Sequence, residues 1–193
     1  PLDISGLIDE SVSLYGEKLS NENVNSQVID FVLGRFRAYY QEQGISVDVI
    51  QAVLANAPTA PLDFEKRIKA VSHFKSLEES ATLAAANKRV GNILAKFSGD
   101  LYPEFKADLA SEEQEKTLSK AFDSVKTTIV PMMLAKDYQA ALTELACLKA
   151  PIDNFFDNVM VMADDEAVKT NRLTLLNEIR NCFLAIADIS LLQ

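Results

Sequence analysis

Apolar side chains recur every three or four residues along most of this chain, which is the spacing of one face of an α-helix. One such stripe runs from Leu118 to Ile129, and another from Val168 to Ile186. Alternating runs of Val, Ile and Thr between turn signals, which would predict strands, are missing. With only six glycines and six prolines in 193 residues, the sequence predicts an all-α protein.

Pro58 and Pro61 mark the clearest boundary, because proline lacks a backbone N–H and restricts the residue before it. We therefore predict a helical lead-in segment over residues 1–62 and a helical domain over residues 63–193, whose first helix Asp63 would cap. Other helix ends are predicted from capping residues. These are a left-handed cap at Gly44, a capping box of Ser111 and Gln114, starts at Asp137 and at Asp164 or Asp165, and Pro151 in a first helical position.

The net charge of −9 is distributed unevenly. Residues 66–99 carry 7 basic and 2 acidic side chains, whereas residues 1–65 sum to −7 and residues 100–166 to −8. Because attraction to phosphate depends on the local field, an acidic chain with one basic segment can still bind nucleic acid. A solvated charged surface explains the same segment equally well.

Nothing in the sequence indicates local catalysis. His73 is the only histidine and has no neighbouring nucleophile pattern, and a Gly-rich phosphate loop is absent. The acids of residues 164–166 complement a helix dipole without a metal, and Cys147 and Cys182 are interpreted as buried free thiols. We expect no catalytic residue, metal site or cofactor in this chain.

The sequence also bears on location. No apolar stretch approaches the ~20 residues that cross a bilayer, and no secretion signal is recognisable. We expect a cytoplasmic protein without membrane contact. The chain begins with proline and not with methionine, which indicates a piece of a longer protein.

Residues 83–97 predict a helix with one apolar and one basic side. Lysine and arginine neutralise phosphates, while asparagine and arginine can hydrogen-bond the edges of unpaired bases. Small residues, Ala85 and Gly91, would permit close approach. The residues predicted to bind RNA on this side are Lys88, Arg89, Asn92 and Lys96. An ordinary solvated helix face remains the alternative for each of them.

Two other groups have a structural and a binding interpretation. Arg35, with Tyr39 nearby, is a fifth candidate for RNA binding, since arginine beside an aromatic ring can stack on splayed bases; linking helices is the favoured role. The apolar run of residues 155–162 is expected in the core, and a base-stacking surface is the alternative interpretation. Arg172 is expected to pair with Asp153 or Asp157.

Three segments resemble a known family. The last, over residues 151–193, contains the paired Phe155 and Phe156, the pair Asn171 and Arg172, and the ending ADISLLQ. It resembles the carboxyl end of the bacterial glycyl-tRNA synthetase beta subunits. Residues 85–94 are similar to the opening helix of the DALR anticodon-binding domain, and residues 35–55 resemble the part of the same subunits just upstream.

The resemblance implies a helical bundle of the DALR type that binds the anticodon region of tRNA(Gly). It implies further that the partner is the alpha subunit in an alpha2-beta2 tetramer, and that the ATP-dependent glycylation, with its ATP and magnesium, takes place in that alpha subunit. A helical module for assembly of the synthetase, with little RNA contact, is the alternative.

Overall fold

The computed structural model describes residues 2–192, and every regular element in that range is helical, which confirms the all-α prediction. Pro1 and Gln193, the two ends of the predicted segments, lie outside the described residues. The α-helices are α1 (Ile4–Tyr15), α2 (Val24–Glu42), α3 (Val47–Leu54), α4 (Pro61–Lys75), α5 (Ser80–Leu94), α6 (Glu113–Leu134), α7 (Tyr138–Ala146), α8 (Lys149–Asn158) and α9 (Glu166–Leu184). Short 3-10 turns cover Gly16–Lys18, Ala107–Leu109 and Ile189–Leu191.

The core lies between the helices that follow residue 46. Helix α4 packs against α3 and α7, α6 packs against α7 and α8, and α5 packs against α9 and the last 3-10 turn. The largest fully buried aromatic side chains are Phe64, Phe74, Phe122, Phe155 and Phe183. Burial of each such side chain stabilises the fold by about 1.5–3 kcal/mol.

Helices α1 and α2 form a hairpin without a core of its own, since neither contains a buried residue. It contacts the rest of the chain through Phe36 and Tyr40, whose rings lie 5.0 and 5.4 Å from the ring of Phe64. Helix α3, in contrast, contributes four buried residues, and the Asp188 N–H donates to the Ala52 carbonyl at 2.9 Å. The domain division at residue 62 stays a prediction.

Three predicted helix ends are confirmed. Gly44 has φ of 81°, the left-handed conformation that glycine adopts without a steric penalty, directly after α2. The Asp137 carboxylate accepts from the Ala140 N–H at 3.2 Å at the start of α7. Asp165 caps α9 by accepting from the N–H groups of the second and third helical residues.

Three other predicted helix starts are wrong, those at Ser111, at Pro151 and at Asp63. The capping box of α6 consists of Glu112 and Glu115, not of Ser111 and Gln114. The Ser111 hydroxyl instead donates to Glu115 at 3.3 Å. Pro151 is the third residue of α8, because α8 begins at Lys149, directly after the end of α7.

Asp63 does not cap α4, which begins at Pro61, a residue preorganised for the first helical position. The Asp63 carboxylate is buried and interacts with three side chains. Arg67 Nε lies 2.7 Å from one oxygen, while the Tyr138 hydroxyl and Lys136 Nζ each lie 2.8 Å from the other. The cluster therefore joins α4 to the turn between α6 and α7.

The electrostatics of this cluster favour the charged carboxylate. Burial by itself would raise the pKa of Asp63, but hydrogen bonds from Lys136, Arg67 and Tyr138 outweigh it and lower the pKa to about 2. Arg67 also donates to the carbonyls of Ala185 and Ile186 at 2.9 and 2.5 Å, which fixes the end of α9.

A second buried ion pair joins α9 to the start of α6. Arg172 Nη2 lies 2.7 Å from Glu115 Oε1, and the side chains are 6% and 0% exposed. The same guanidinium donates to the Ser111 hydroxyl at 2.9 Å and to the Met160 carbonyl at 2.8 Å. One side chain thus holds three segments that are distant in sequence.

The predicted partners of Arg172 are wrong. Asp153 pairs with Lys149 at 3.2 Å within α8, and Asp157 is exposed. The sequence favoured these two acids because they lie in the same compact motif. The actual partner lies 57 positions away, a distance in sequence at which helical spacing gives no information.

The segment between α5 and α6 has little regular structure and is held by side chains of α9. Asn171 accepts from the Lys106 N–H at 2.8 Å and donates to the Lys106 carbonyl at 2.9 Å. Two further α9 side chains accept from main-chain N–H groups, Thr174 from Tyr102 at 3.1 Å and Glu178 from Phe105 at 2.7 Å. These bonds satisfy backbone groups that would otherwise be buried without partners.

Substitution of Arg172 by Met tests the buried ion pair. It leaves the Glu115 carboxylate buried without its partner, and we expect a loss of about 3–5 kcal/mol in the free energy of unfolding. Urea denaturation followed by circular dichroism measures it. Lys116→Ala, which removes the exposed pair with Glu113, is the control and should change stability by less than about 1 kcal/mol. An equal effect of both substitutions would contradict the assigned role.

Substitution of Asp63 by Asn, measured as a function of pH, tests the cluster around the Asp63 carboxylate. Because the pKa of Asp63 in the folded protein, about 2, lies below its ordinary value of 3.8, its ionised form contributes stability above pH ~4 that is lost as the pH falls towards 2. We expect Asp63→Asn to cost about 2 kcal/mol at pH 7, with a difference from the wild type that shrinks below pH ~4. Urea midpoints measured across pH, with the exposed Asp123→Asn as control, report this. A difference that stays constant down to pH ~2.5 would contradict the role of the carboxylate charge.

Candidate nucleic-acid interface

The candidate interface is built on α5, whose 15 residues include four alanines and no acid. The helix begins at Ser80 and ends at Leu94, so it starts and ends three residues earlier than the prediction of 83–97. Its inner side buries Leu83, Ala84, Asn87 and Val90 against the core. The opposite side is consequently directed to solvent.

Three of the predicted residues lie on the outer side of α5, and the fourth, Lys96, lies beside them just past the end of the helix. All four are exposed, and with Ala85 and Ile93 they line one shallow groove of about 530 Å³. We call this surface the α5 face; its polar members are Lys88, Arg89, Asn92 and Lys96. A second hollow of about 450 Å³ adjoins it, since Ala85 and Lys88 line both.

The cations of the α5 face are not neutralised by the protein. Among residues 2–192, no carboxylate forms an ion pair with Lys88, Arg89 or Lys96, whereas Lys69 and Lys75 pair with Glu65 and Asp48 at 2.5 Å. The α5 face thus retains its positive charge in a chain of net charge −9. Such a local field attracts phosphate whatever the total charge.

Arg89 is oriented by an aromatic ring. Its guanidinium carbon lies 4.3 Å from the centre of the Phe156 ring on α8, a cation–π contact. Phe156 is half-buried, and its ring meets that of the fully buried Phe155 edge-on at 5.7 Å. The prediction that residues 155–162 form core therefore holds for Phe155 but not for the exposed Met160.

Sequence reasoning favoured a core position for Phe156 and missed its contact with Arg89. The apolar run predicted a core position, but Phe156 is only half-buried in the structure, where α8 packs beside α5. The available signal was weak: Phe156 immediately follows a residue on the buried face of α8, and neighbouring helix positions point in different directions.

Arg35 lies elsewhere. It is exposed on α2, its guanidinium carbon is 5.1 Å from the centre of the Phe31 ring, and it does not line the α5 groove. Its predicted aromatic neighbour, Tyr39, packs edge-on against Tyr40 at 5.2 Å. The structure thus brings four of the five predicted residues together and leaves Arg35 apart. RNA binding by any of the five stays a prediction.

Gly91 does not serve the close approach of a ligand. A Cβ atom at this position would lie 3.3 Å from Nε and Nη2 of Arg180 on α9. The missing side chain therefore admits the guanidinium of Arg180 against α5. Ala85, the other small residue, does lie on the α5 face.

The cysteine interpretation is partly wrong. Both cysteines are free thiols, but Cys147 is exposed and Cys182 is half-buried. Burial raises the pKa of the Cys182 thiol, with a smaller contribution of the same sign from Glu178 and an opposing one from Lys126. The neutral form of this thiol is thereby favoured, and the neutral form is a poor nucleophile.

Comparison with protein families decides what kind of domain this is. The profile described as the DALR anticodon binding domain matches residues 83–189, more than half of the chain. The chain belongs to this family. The match begins in α5 and ends in the last 3-10 turn, so it includes the α5 face, both halves of the Glu115–Arg172 pair and the core around Phe155.

Curated relatives are similar over the whole chain. It is 67% identical over 192 residues to the glycine-tRNA ligase beta subunit of Colwellia psychrerythraea, 60% identical to that of Aliivibrio fischeri and 58% identical to that of Vibrio cholerae. In each case all of this chain and 28% of the relative are aligned. The predicted resemblance to glycyl-tRNA synthetase beta subunits is confirmed, and the chain spans 28% of the length of the relatives it matches.

Across residues 2–192, no helix combines the length and the apolar character that a membrane span requires.

The exposed side chains of Lys88 and Asn92 lead to a prediction about the free energy of unfolding. We expect Lys88→Ala and Asn92→Ala to change the free energy of unfolding by less than about 0.5 kcal/mol, because neither side chain bonds to another described residue. Val90→Ala, on the buried side of the same helix, should cost about 2 kcal/mol. Urea denaturation of the three variants measures this. Strong destabilisation by Lys88→Ala would mean that the α5 face has a structural role.

Proposed function

We propose that this chain recognises the anticodon arm of tRNA(Gly) through the α5 face. Lys88, Arg89 and Lys96 contact phosphates, while Asn92 and Arg89 hydrogen-bond the edges of unpaired anticodon-loop bases. Membership in the DALR family supports an anticodon ligand. The printed name of the relatives, glycine-tRNA ligase beta subunit, supports glycine as the amino acid of that tRNA.

The observation that carries the proposal is the unneutralised charge of the α5 face. Three cations and one amide share a groove without an acidic side chain on their helix. Each phosphate contact releases condensed counterions from the RNA, which favours binding at low salt. Amide and guanidinium groups add hydrogen bonds that depend on the base.

We extend the proposal to a longer ligase subunit that would contain this chain. ATP-dependent glycylation would take place in an alpha subunit, which would hold the ATP and magnesium, within an alpha2-beta2 tetramer in the cytoplasm. The present chain would perform no bond-making step. Its binding energy would fix the position of the tRNA so that the acceptor end reaches the distant site, which accelerates a reaction without local chemistry.

A second candidate function is assembly of the ligase with little RNA contact. Large apolar side chains on helices away from the α5 face favour it: Leu14 is 84% exposed, Phe31 63% and Leu134 82%. Patches of this kind commonly mark protein contacts. They lie outside the α5 groove, so substitutions on α5 distinguish the two functions.

Binding of the 193-residue chain to tRNA(Gly) across a salt series tests the proposal. We expect binding that weakens steeply with salt and that prefers the correct anticodon over an altered one. Lys88→Ala should weaken binding to both tRNAs alike and reduce the salt slope by about 1. Asn92→Ala should instead relax the preference for the anticodon, at a cost of about 1–3 kcal/mol for the correct tRNA.

Lys120→Ala, an exposed lysine on α6 outside the groove, is the matched control and should leave both affinity and salt slope unchanged. Wild-type affinity in the triple variant of Lys88, Arg89 and Asn92 would remove the α5 face from the proposal. Absent or salt-insensitive binding by the wild type would favour the assembly function.

A further inference from the structure

Arg35, Arg67 and Arg89 lie on aromatic rings within residues 2–192, and Arg89 differs from Arg35 because its ring, Phe156, is half-buried, whereas Phe31 is 63% exposed. Arg67 lies 4.5 Å above the Tyr138 ring, but it also pairs with Asp63 and donates to two carbonyls. Arg89 makes no hydrogen bond and no ion pair with the residues that the structure describes, and only the Phe156 ring orients it. Its N–H donors are therefore not used by the fold.

The ring beneath Arg89 is itself fixed. Phe156 lies in the last turn of α8, and its ring meets the Phe155 ring at an interplanar angle of 80°. Phe155 is 0% exposed and belongs to the central core. Core, ring and guanidinium thus form successive layers, and the last layer is exposed on the α5 face.

An exposed guanidinium packed over a ring in this way resembles the surfaces on which unpaired bases stack. Every base has a π-face, and arginine planes and aromatic rings both accept it. A plane fixed before binding loses less conformational entropy than a free side chain. Asn92, one helical turn further along α5, supplies donor and acceptor groups beside the same plane.

We propose that Phe156 and Arg89 together form a stacking site for one unpaired nucleobase. The base lies on the outer face of the Arg89 guanidinium, Phe156 holds the guanidinium from below, and Asn92 contacts the edge of the base. Phe156 is a positioning residue, since it acts through Arg89. The inference rests on the proposed function, because the base is one of the tRNA anticodon loop.

The test uses tRNA(Gly) transcripts in which one anticodon-loop nucleotide at a time is abasic, so that the base is lost and the phosphate is kept. The variants of the 193-residue chain are Phe156→Leu, which removes the ring but keeps apolar volume, and Phe156→Tyr, which keeps the ring. Phe31→Leu is the matched control, because it removes a ring from beneath an exposed arginine, Arg35, outside the α5 groove.

We expect Phe156→Leu to weaken binding of intact tRNA(Gly) by about 5- to 100-fold, the usual effect of one lost stacked base. A single abasic position should weaken wild-type binding by a similar factor, and Phe156→Leu should add no further loss at that position. Phe156→Tyr should restore wild-type affinity, and Phe31→Leu should bind like the wild type. The salt slope should be the same for wild type and Phe156→Leu, since no phosphate contact is removed.

A purely structural role of the ring would give a different pattern. Phe156→Leu would then weaken every abasic transcript by the same factor, and this outcome would overturn the inference. If the variant proves unstable, Arg89→Lys serves instead, since it keeps the charge and loses the planar stack. It should show the same insensitivity at the same abasic position.

The result also separates this inference from the proposed function. Wild-type binding by Phe156→Leu and Arg89→Lys, together with weakened binding by Lys88→Ala, would reject the stacking site and leave the α5 face as the RNA interface. Wild-type binding by all three variants would reject both.

Discussion

The buried pair of Glu115 and Arg172 is the interaction on which the arrangement of this domain depends. Two charges taken out of water stabilise a protein only if each is paired and further hydrogen-bonded. Here the guanidinium also binds a hydroxyl and a carbonyl, and the carboxylate also accepts from the backbone at the start of α6. Because these partners come from different segments, the pair fixes where α6 and the chain after α8 meet α9. Helix α9 in turn supports α5, so the position of the α5 face follows from this polar contact as well as from apolar packing.

The basic side chains that form ion pairs within the fold differ in role from those of the α5 face, which form none with the described residues. Nine lysine and arginine side chains form ion pairs within residues 2–192, and those of Arg67 and Arg172 are structural. The cations of α5 have no such partner, and no acid lies within their helix. An acidic protein with a cluster of unneutralised cations on one surface repels anions over much of its area and attracts them at that cluster. The negative total is therefore compatible with RNA as ligand, and it restricts where RNA can bind.

Local patterns predicted most of the helices, and longer-range features could not be predicted from them. Apolar spacing gave α6 and α9, and single capping residues such as Gly44 and Asp165 were located correctly, because both signals depend on residues a few positions apart. The same reasoning placed Lys88, Arg89, Asn92 and Lys96 on one exposed surface, since they are close in sequence, although Lys96 lies just past the end of α5. It failed where the partner is distant in sequence. Arg172 was assigned to acids of its own motif, Gly91 to a ligand and not to Arg180, and Phe156 to the core and not to Arg89. Contacts of this kind depend on how helices are placed against each other, which periodicity within one helix does not specify.

The two hydrogen bonds between Asn171 and Lys106 have a consequence for sequence variation. The Asn171 side chain bonds only to main-chain atoms of residue 106, as neighbouring β-strands bond to each other's main chains. Thr174 and Glu178 likewise accept from main-chain N–H groups. These bonds to the segment from Tyr102 to Lys106 are therefore independent of its side chains, although Phe105 also packs against the core. Proline would be incompatible at Tyr102, Phe105 and Lys106, which must donate, yet other replacements leave these bonds intact. The side chains that make these bonds belong to α9, so the constraint on sequence falls on Asn171, Thr174 and Glu178 more than on the segment that they hold.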